Sequence, residues 1–343
     1  MKKVSKLAYY YEMYRKTQVL RNIPRIWNYI KYRSLPRKST MSVKRYTPQI
    51  ASMIVTKRCN LTCSFCSVGN SLNPKDWRDS EATLEKVQRI FANPLFSNCL
   101  GVDLLGGEPM LCKELVPIVA WLSKRGHFVN INTNGLRLDK HIVDLKRAGI
   151  SRISISLYED NQEYLEENLS NINKIFPVHT SIVLERKAVE NRQGKILKKA
   201  TFMRDAGCRS FNVMIYRPQG LNPNPNEIIS DTLPSYIEFI KKMEDNLPGF
   251  CNWPAAIQIG KVKKRCPQIW QRIATTMKGH MEICCGTEDI LQGPNSNLFD
   301  CEDKPDVLFN HPTLVSLRKQ LLDEASEPPD MCKTCNLIGD PGW

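Results

Sequence analysis

The sequence predicts an α/β fold: a partial (β/α)6 barrel, TIM-like in plan, followed by a small cysteine-rich C-terminal domain. Two observations predict it. After Thr47, short apolar runs alternate with helix-periodic stretches at a spacing of about 25 to 30 residues. From about Asn252 the alternation stops, and six of the thirteen cysteines fall in the last 78 residues. The expected division is a basic, aromatic helical segment at 1–46, the barrel at 47–250 and the cysteine-rich unit at 251–343.

The first strand is the apolar ASMIVT at 51–56, and the second is GVDLLG at 101–106, with the helical SEATLEKVQRIFAN at 80–93 between them. Strands at 127–134, 151–158, 179–185 and 209–216 follow. Helical patterns at 111–126, 140–149 and 164–176 separate them, and a further helix is expected at about 233–246. Strands joined through helices pair in parallel with right-handed crossovers, which puts chemistry at the strand C-termini. The proline- and asparagine-rich 217–234 breaks the periodicity and reads as a loop over the barrel mouth, a candidate substrate lid.

Composition narrows the class. No run approaches the roughly 18 to 20 apolar residues of a spanning helix. No basic-then-apolar leader with a small-residue cleavage site opens the chain, so the expectation is a cytoplasmic protein whose cysteines bind metal rather than form disulfides. The net charge of +14 is local: residues 1–45 hold 13 Lys/Arg against the single acid Glu12, and the other 298 residues carry 36 basic and 34 acidic side chains. A polyanion-binding role therefore belongs to the N-terminal segment alone, and nucleic acid is not the expected partner of the body.

Just after the first strand, TKRCNLTCSFCSVGN sets Cys59, Cys63 and Cys66 four and three residues apart. Three thiolates on a short loop grip three irons of a cubane and leave the fourth without a protein ligand. Structural zinc favours four ligands in paired CxxC units, and a disulfide would leave an odd cysteine. This C-x3-C-x2-C loop, with Phe65 before its last cysteine, resembles the signature of radical S-adenosylmethionine (radical SAM) enzymes, over most of residues 50–245.

The resemblance implies a [4Fe-4S] cluster whose open iron binds S-adenosylmethionine, and an electron donor such as flavodoxin or ferredoxin. One electron splits the sulfonium and releases a 5′-deoxyadenosyl radical that abstracts a substrate hydrogen. Gly106-Gly107-Glu108-Pro109, at the end of the second strand, is similar to the family's GGEP, where strand edge and carboxylate meet the cofactor's ammonium group. Thr133-Asn134-Gly135 is similar to its TNG. Ser156 best matches its ribose or carboxylate contact, and Arg186 is placed to pair with the cofactor carboxylate.

Cys266, Cys284 and the pair Cys332 and Cys335 make a second four-thiolate set, which spacing alone leaves open between a zinc ribbon and an iron–sulfur site. The C-x12-G-x4-C spacing through Gly279 resembles the SPASM/twitch extension, which implies one auxiliary [4Fe-4S] cluster. Only NLIGDPGW follows Cys335, so the ligands of a second auxiliary cluster are missing and the shorter twitch form is expected. Cys285 and Cys301 are spare thiols, Cys285 an alternative to Cys284. Cys99, Cys112, Cys208 and Cys251 read as buried apolar residues, with Cys251 the best candidate for a catalytic hydrogen-atom donor beside the lid.

The N-terminal segment joins its charge to Tyr9, Tyr10, Tyr11, Tyr14, Trp27, Tyr29 and Tyr32, with Ile23, Ile26, Trp27 and Ile30 on one helical face after Pro24. It reads as an interfacial helix on an anionic membrane surface at the inner face, as a helix packed on the barrel, or as a polyanion-binding arm. The sequence thus points to a radical SAM oxidoreductase or related enzyme. Its substrate would be a small molecule, a lipid-linked compound or a peptide, and its outcome dehydrogenation, epimerisation or bond formation. The rival from another class is a non-catalytic, zinc-organised nucleic-acid binder.

Overall fold

The structure, a computed structural model, describes residues 23–34, 47–63, 65–66, 79, 81–218, 224–258, 266, 268–284, 290–302 and 304–338. Tyr9, Tyr10, Tyr11 and Tyr14 of the aromatic N-terminal segment, and 219–223 of the expected lid, lie outside the described residues. Six parallel strands stand where the alternation puts them: β1 Ile50–Thr56, β2 Gly101–Gly106, β3 Phe128–Thr133, β4 Arg152–Ser156, β5 His179–Leu184 and β6 Phe211–Ile215. The first of the described helices, α1 Ile23–Ser34, precedes β1. The outer layer comprises α2 Leu84–Ala92, α3 Leu115–Lys124, α4 Leu138–Arg147, α5 Gln162–Ile175, α6 Arg186–Asn191, α7 Gln193–Asp205 and α8 Pro234–Asn246. The sheet is open, in the order β7-β6-β5-β4-β3-β2-β1-β8-β9. The fold is therefore an α/β partial barrel.

The strands sort their side chains by parity. Ala51, Met53 and Val55 of β1, Val102 and Leu104 of β2, Val129 and Ile131 of β3 and Ile153 and Ile155 of β4 are fully buried in one core with the helices. The alternate positions Ser52, Asp103, Asn130, Ser154, Ser156, Ser181 and Asn212 are polar and share the inner face. A parallel sheet buried on both faces reads as a continuous apolar run. Here much of the inner face is polar instead, with Ile54, Leu105, Val183 and Met214 among its apolar members.

The C-terminal part does not stand apart from this sheet. β7 Cys251–Asn252 pairs with the start of β6, and β8 Arg272–Thr275 pairs in parallel with β1, from Ile50↔Arg272 to Met53↔Thr275. β9 Met281–Glu282 closes a hairpin on β8. The expected boundary at 250/251 thus runs through one hydrogen-bonded sheet. β1 would otherwise be an exposed edge, and β7, β8 and β9, at two to four residues, are too short to show a period in the sequence. From β8, the Arg272 guanidinium bonds the Asp103 carboxylate and the Ser52 hydroxyl, while Asn130 Nδ2 donates to Asp103 Oδ1 at 3.0 Å. Four strands are tied together across the lumen by one ion pair and its amide neighbour.

Helix α1 seals the N-terminal ends of β1, β2 and β3 with its polar side chains. Arg25, 3% exposed, donates to the carbonyls of Ser97 and Gly126 and to His127 Nε2 at 3.0 Å. His127 Nδ1 donates in turn to Cys99 O at 2.9 Å, which fixes the neutral tautomer. Asn28 Nδ2 donates to Thr47 O and Asn28 Oδ1 accepts from Thr47 N, just before β1.

Burial, then the Arg25 charge, hold His127 down from the usual 6.5 to about 3. A group depressed on folding contributes stability that is complete above its unfolded pKa and is lost as pH falls through the folded one. Between pH 6.5 and 4, the wild type should therefore lose more thermal stability than His127→Gln, whose amide takes the Arg25 bond without titrating. Equal losses in a calorimetric pH series would contradict this linkage.

Candidate active site

The cysteine loop leaves β1 at Thr56 and is pinned at once. Thr56 O accepts from Gly107 N at 2.8 Å, Arg58 O accepts from Glu108 N at 2.7 Å, and Arg58 N donates to Thr56 Oγ1 at 3.1 Å. The two chains run so close that a Cβ on Gly107 would overlap Arg58 O, and one on Gly106 would overlap Thr56 O. Glycine is needed at both positions for β2 to hold the loop's entry.

Cys59, Cys63 and Cys66 are all half-buried on this loop, with a turn from Cys66 N to Cys63 O at 3.1 Å. Burial, then the neighbouring Cys66 and Cys59, push the Cys63 thiol up to about 11. Cys59 is raised too, with burial first. Three thiols that repel one another as thiolates suit a cationic partner. Phe65 stacks on Tyr158, just beyond β4, with centroids 6.0 Å apart. The loop is thereby clamped against the ends of β2 and β4.

Glu108 organises the remaining strand ends. Its carboxylate is 1% exposed and accepts from Met110 N at 2.9 Å, Thr133 Oγ1 at 2.6 Å and Asn134 N at 2.7 Å. Burial pushes its pKa up while these three bonds pull it back. The carboxylate expected to meet the cofactor thus accepts three bonds inside the protein, and the strand edge at Gly106 and Gly107 faces the loop. Pro109 starts a buried 3-10 turn. Asn134 Nδ2 continues the network to Asn60 Oδ1 at 2.8 Å, between the first two cysteines. Asn161 Nδ2 donates to Asn134 O at 2.6 Å and to Ser156 O at 2.7 Å.

Sequence reasoning passed over Asn60, Tyr158 and Asn161. Asn161 had one signal, as an Asx residue just before helix α5. It bonds backward to the ends of β3 and β4 instead of capping the helix.

Two expected contacts lie elsewhere. Arg186 opens α6 and places Nε on Glu190 Oε1 at 2.7 Å, a half-exposed i,i+4 pair. Cys251 pairs with Phe211, the first residue of β6. Its neighbour Asn252 bonds Asn212 on the lumen side, so the thiol faces the opposite way, toward Glu244 of α8, and burial pushes it up to about 12. The catalytic reading of Cys251 is corrected on that ground. Ser156 does stay at the end of β4, 3.4 Å from Ser181 Oγ on the inner face.

All four C-terminal cysteines come together. Cys266, Cys284, Cys332 and Cys335 line one small cavity with Arg217, Ile269, Leu317 and Met331 among its walls. Cys335 N closes the CxxC turn on Cys332 O at 3.2 Å, in and after the short helix α9 Asp330–Lys333. Burial, then Cys335 and Cys284, push Cys332 up to about 12. Arg217, just beyond β6, reaches Cys335 Sγ at 3.7 Å. Cys301 is buried apart from this cavity, donating to Asn295 Oδ1 at 3.4 Å, and Cys285 lies outside the described residues. Among the described residues no three His, Cys, Asp or Glu side chains converge closely enough to hold a single metal ion. A cubane asks for wider spacing, one thiolate at each of several corner irons.

An open parallel α/β barrel with three thiols at the mouth end of its first strand is the architecture of an iron–sulfur enzyme. Residues 53–222 match the Radical SAM superfamily and form a domain of that superfamily, which uses a [4Fe-4S] cluster and S-adenosylmethionine. Among curated proteins, a GTP 3′,8-cyclase of Corynebacterium glutamicum (strain R) is 38% identical over 112 residues, 30% of this chain and 29% of that one. That of Aquifex aeolicus is 33% identical over 142 residues, 38% of this chain and 42% of that one. The matches thus span well under half the length of these relatives. Streptococcus suis SuiB bound to S-adenosylmethionine is 15% identical with a TM-score of 0.59, covering 85% of this chain and 72% of that one. SuiB bound to its precursor peptide SuiA gives 16%, 0.61, 85% and 70%. These show the fold.

Removing the Glu108 carboxylate leaves three donors without an acceptor, two of them backbone N–H groups in the loops that follow β2 and β3. Glu108→Ala should cost roughly 3 kcal/mol or more in denaturant stability, and the apo protein should take up iron at the cysteine loop less completely. Wild-type stability in that variant would contradict the latch role.

Proposed function

We propose that this chain is a radical SAM enzyme with two iron–sulfur sites, the second carried by a twitch-like C-terminal region. Cys59, Cys63 and Cys66 hold a [4Fe-4S] cluster with one open iron, and Cys266, Cys284, Cys332 and Cys335 hold an auxiliary [4Fe-4S] cluster. When bound, the first cluster would supply the electron that splits S-adenosylmethionine into methionine and a 5′-deoxyadenosyl radical able to take a substrate hydrogen. The protein's own residues bind and orient. The edge at Gly106 and Gly107 receives the amino end of the cofactor, and Asn134 and Ser156, at the ends of β3 and β4, border the rest of its path. Phe65 and Tyr158 cover the loop and exclude water.

The single observation that carries this reading is the meeting of all four C-terminal cysteines at one cavity, in a chain whose first strand already presents three more. The polar inner face supports a polar or charged substrate. The curated relatives named GTP 3′,8-cyclase match only part of the barrel, so their reaction is not carried over. Hydrogen abstraction followed by dehydrogenation, epimerisation or bond formation is the reaction class, with reducing equivalents from a flavodoxin or ferredoxin.

Anaerobic reconstitution should load about eight irons per chain, with 5′-deoxyadenosine formed from S-adenosylmethionine and dithionite. Cys63→Ala should fall to about four irons and lose cleavage, whereas Cys335→Ala should fall to about four and keep it. Zinc in place of the second four irons would sink the auxiliary-cluster part, and cleavage surviving in Cys63→Ala would sink the whole reading.

A further inference from the structure

Helix α1 is amphipathic in the reverse sense. A helix packed on a core turns its apolar stripe inward. Here the inward side is Arg25 and Asn28, 3% and 7% exposed, bonded to the strand-entry backbone. The outward side carries Ile23, Trp27 and Ile30, at i, i+4 and i+7, which are 65%, 59% and 46% exposed. Three of the six exposed large hydrophobic side chains among the described residues therefore lie on one helix of 12 residues.

Charge indicates what covers this stripe. Residues 1–45, in which the helix lies, carry 13 basic side chains against one acidic. An apolar ridge with a tryptophan, borne on a segment of sequence this rich in lysine and arginine, has the composition that suits the interface of an anionic bilayer, where apolar side chains enter the acyl boundary and cations meet headgroups. A second copy of the chain would bring like charge against like charge. Among the described residues the face offers three side chains, against the roughly 800 Å² per partner of a stable dimer.

We propose that the Ile23–Trp27–Ile30 face is a docking surface for an anionic lipid bilayer, and that it seats the barrel with its mouth turned to the aqueous side. The orientation follows from where α1 sits. It contacts Thr47, Ser97, Gly126 and His127, the residues before β1, β2 and β3, while the cysteine loop and Glu108 follow the C-terminal ends of β1 and β2. Bilayer and mouth are at opposite ends of the strands, roughly 20 Å apart. The enzyme would work beside the membrane on a substrate arriving from water, and a lipid-linked substrate held in the acyl layer would not reach the site. The docking part stands without the proposed function, and only the orientation rests on it.

The test uses the full chain after reconstitution, floated with phosphatidylcholine vesicles and with vesicles carrying about one-third phosphatidylglycerol. Wild type should float with the anionic vesicles only, and Ile23→Ser/Trp27→Ser/Ile30→Ser should partition at least roughly tenfold more weakly. The triple variant should keep its iron and its 5′-deoxyadenosine formation, which separates failure of docking from failure of the proposed chemistry. Brominated lipid should quench a tryptophan component in wild type that is missing in Trp27→Phe, which keeps an apolar ring and stays bound. Cofactor cleavage should run at the same rate on vesicles as in solution.

Equal flotation of wild type and triple variant would overturn the docking, as would no flotation of wild type or equal quenching in Trp27→Phe. Self-association lost in the triple variant with flotation intact would assign the face to a second copy and overturn it too. Cleavage abolished by vesicle binding would overturn the orientation.

Discussion

The Glu108 carboxylate, buried at the end of β2, is the interaction on which the site's geometry depends. A parallel sheet ends in loops that share no hydrogen-bond ladder, so something must hold their first residues together. One buried acceptor with three donors does it, taking Met110 N from its own loop and Thr133 Oγ1 and Asn134 N from the next. Asn134 then reaches Asn60 in the cysteine loop, and Asn161 ties in the end of β4. The placement of the three thiols is inherited from neighbours that are fully satisfied, so metal can enter a frame already standing.

The second constraint is that one sheet carries the segments leading to Cys59 and running from Cys266 to Cys284, while Cys332 and Cys335 join from α9 and the turn after it. β1 leads into Cys59, and its other neighbour β8 lies between Cys266 and Cys284. The register Ile50↔Arg272 is locked by Arg272 on Asp103 and Ser52. Motion of the C-terminal hairpin against the barrel would break this ion pair on the inner face. Arg217 adds a contact from the end of β6 to Cys335.

Much of this is legible in the residues. Five of the six barrel strands are announced by β-branched or aromatic residues and β2, GVDLLG, by an apolar stretch between glycines, and strand ends are marked by Gly106-Gly107 and Thr133-Asn134-Gly135. The four C-terminal cysteines are readable as one set from their spacing, although 47 residues separate Cys284 from Cys332. What stays hidden is direction. No pattern shows that Glu108 turns inward, that the thiol of Cys251 faces a helix, or that Arg186 is taken by Glu190. The first two depend on partners distant in sequence or on strand parity fixed by pairing, and the third on a short helix that the alternation does not show. The strands β7, β8 and β9 are too short to carry a period. The apolar face of α1 is visible, and its outward orientation is not, since only the burial of Arg25 and Asn28 reveals which side is docked.

The most direct measurement is electron paramagnetic resonance of the anaerobically reconstituted, dithionite-reduced chain, with and without S-adenosylmethionine. Two reduced-cluster signals are expected, of which one alone changes when the cofactor is added, because only the Cys59–Cys63–Cys66 site keeps an open iron. A single signal, or two that respond alike to the cofactor, would contradict the assignment of one open and one closed cluster.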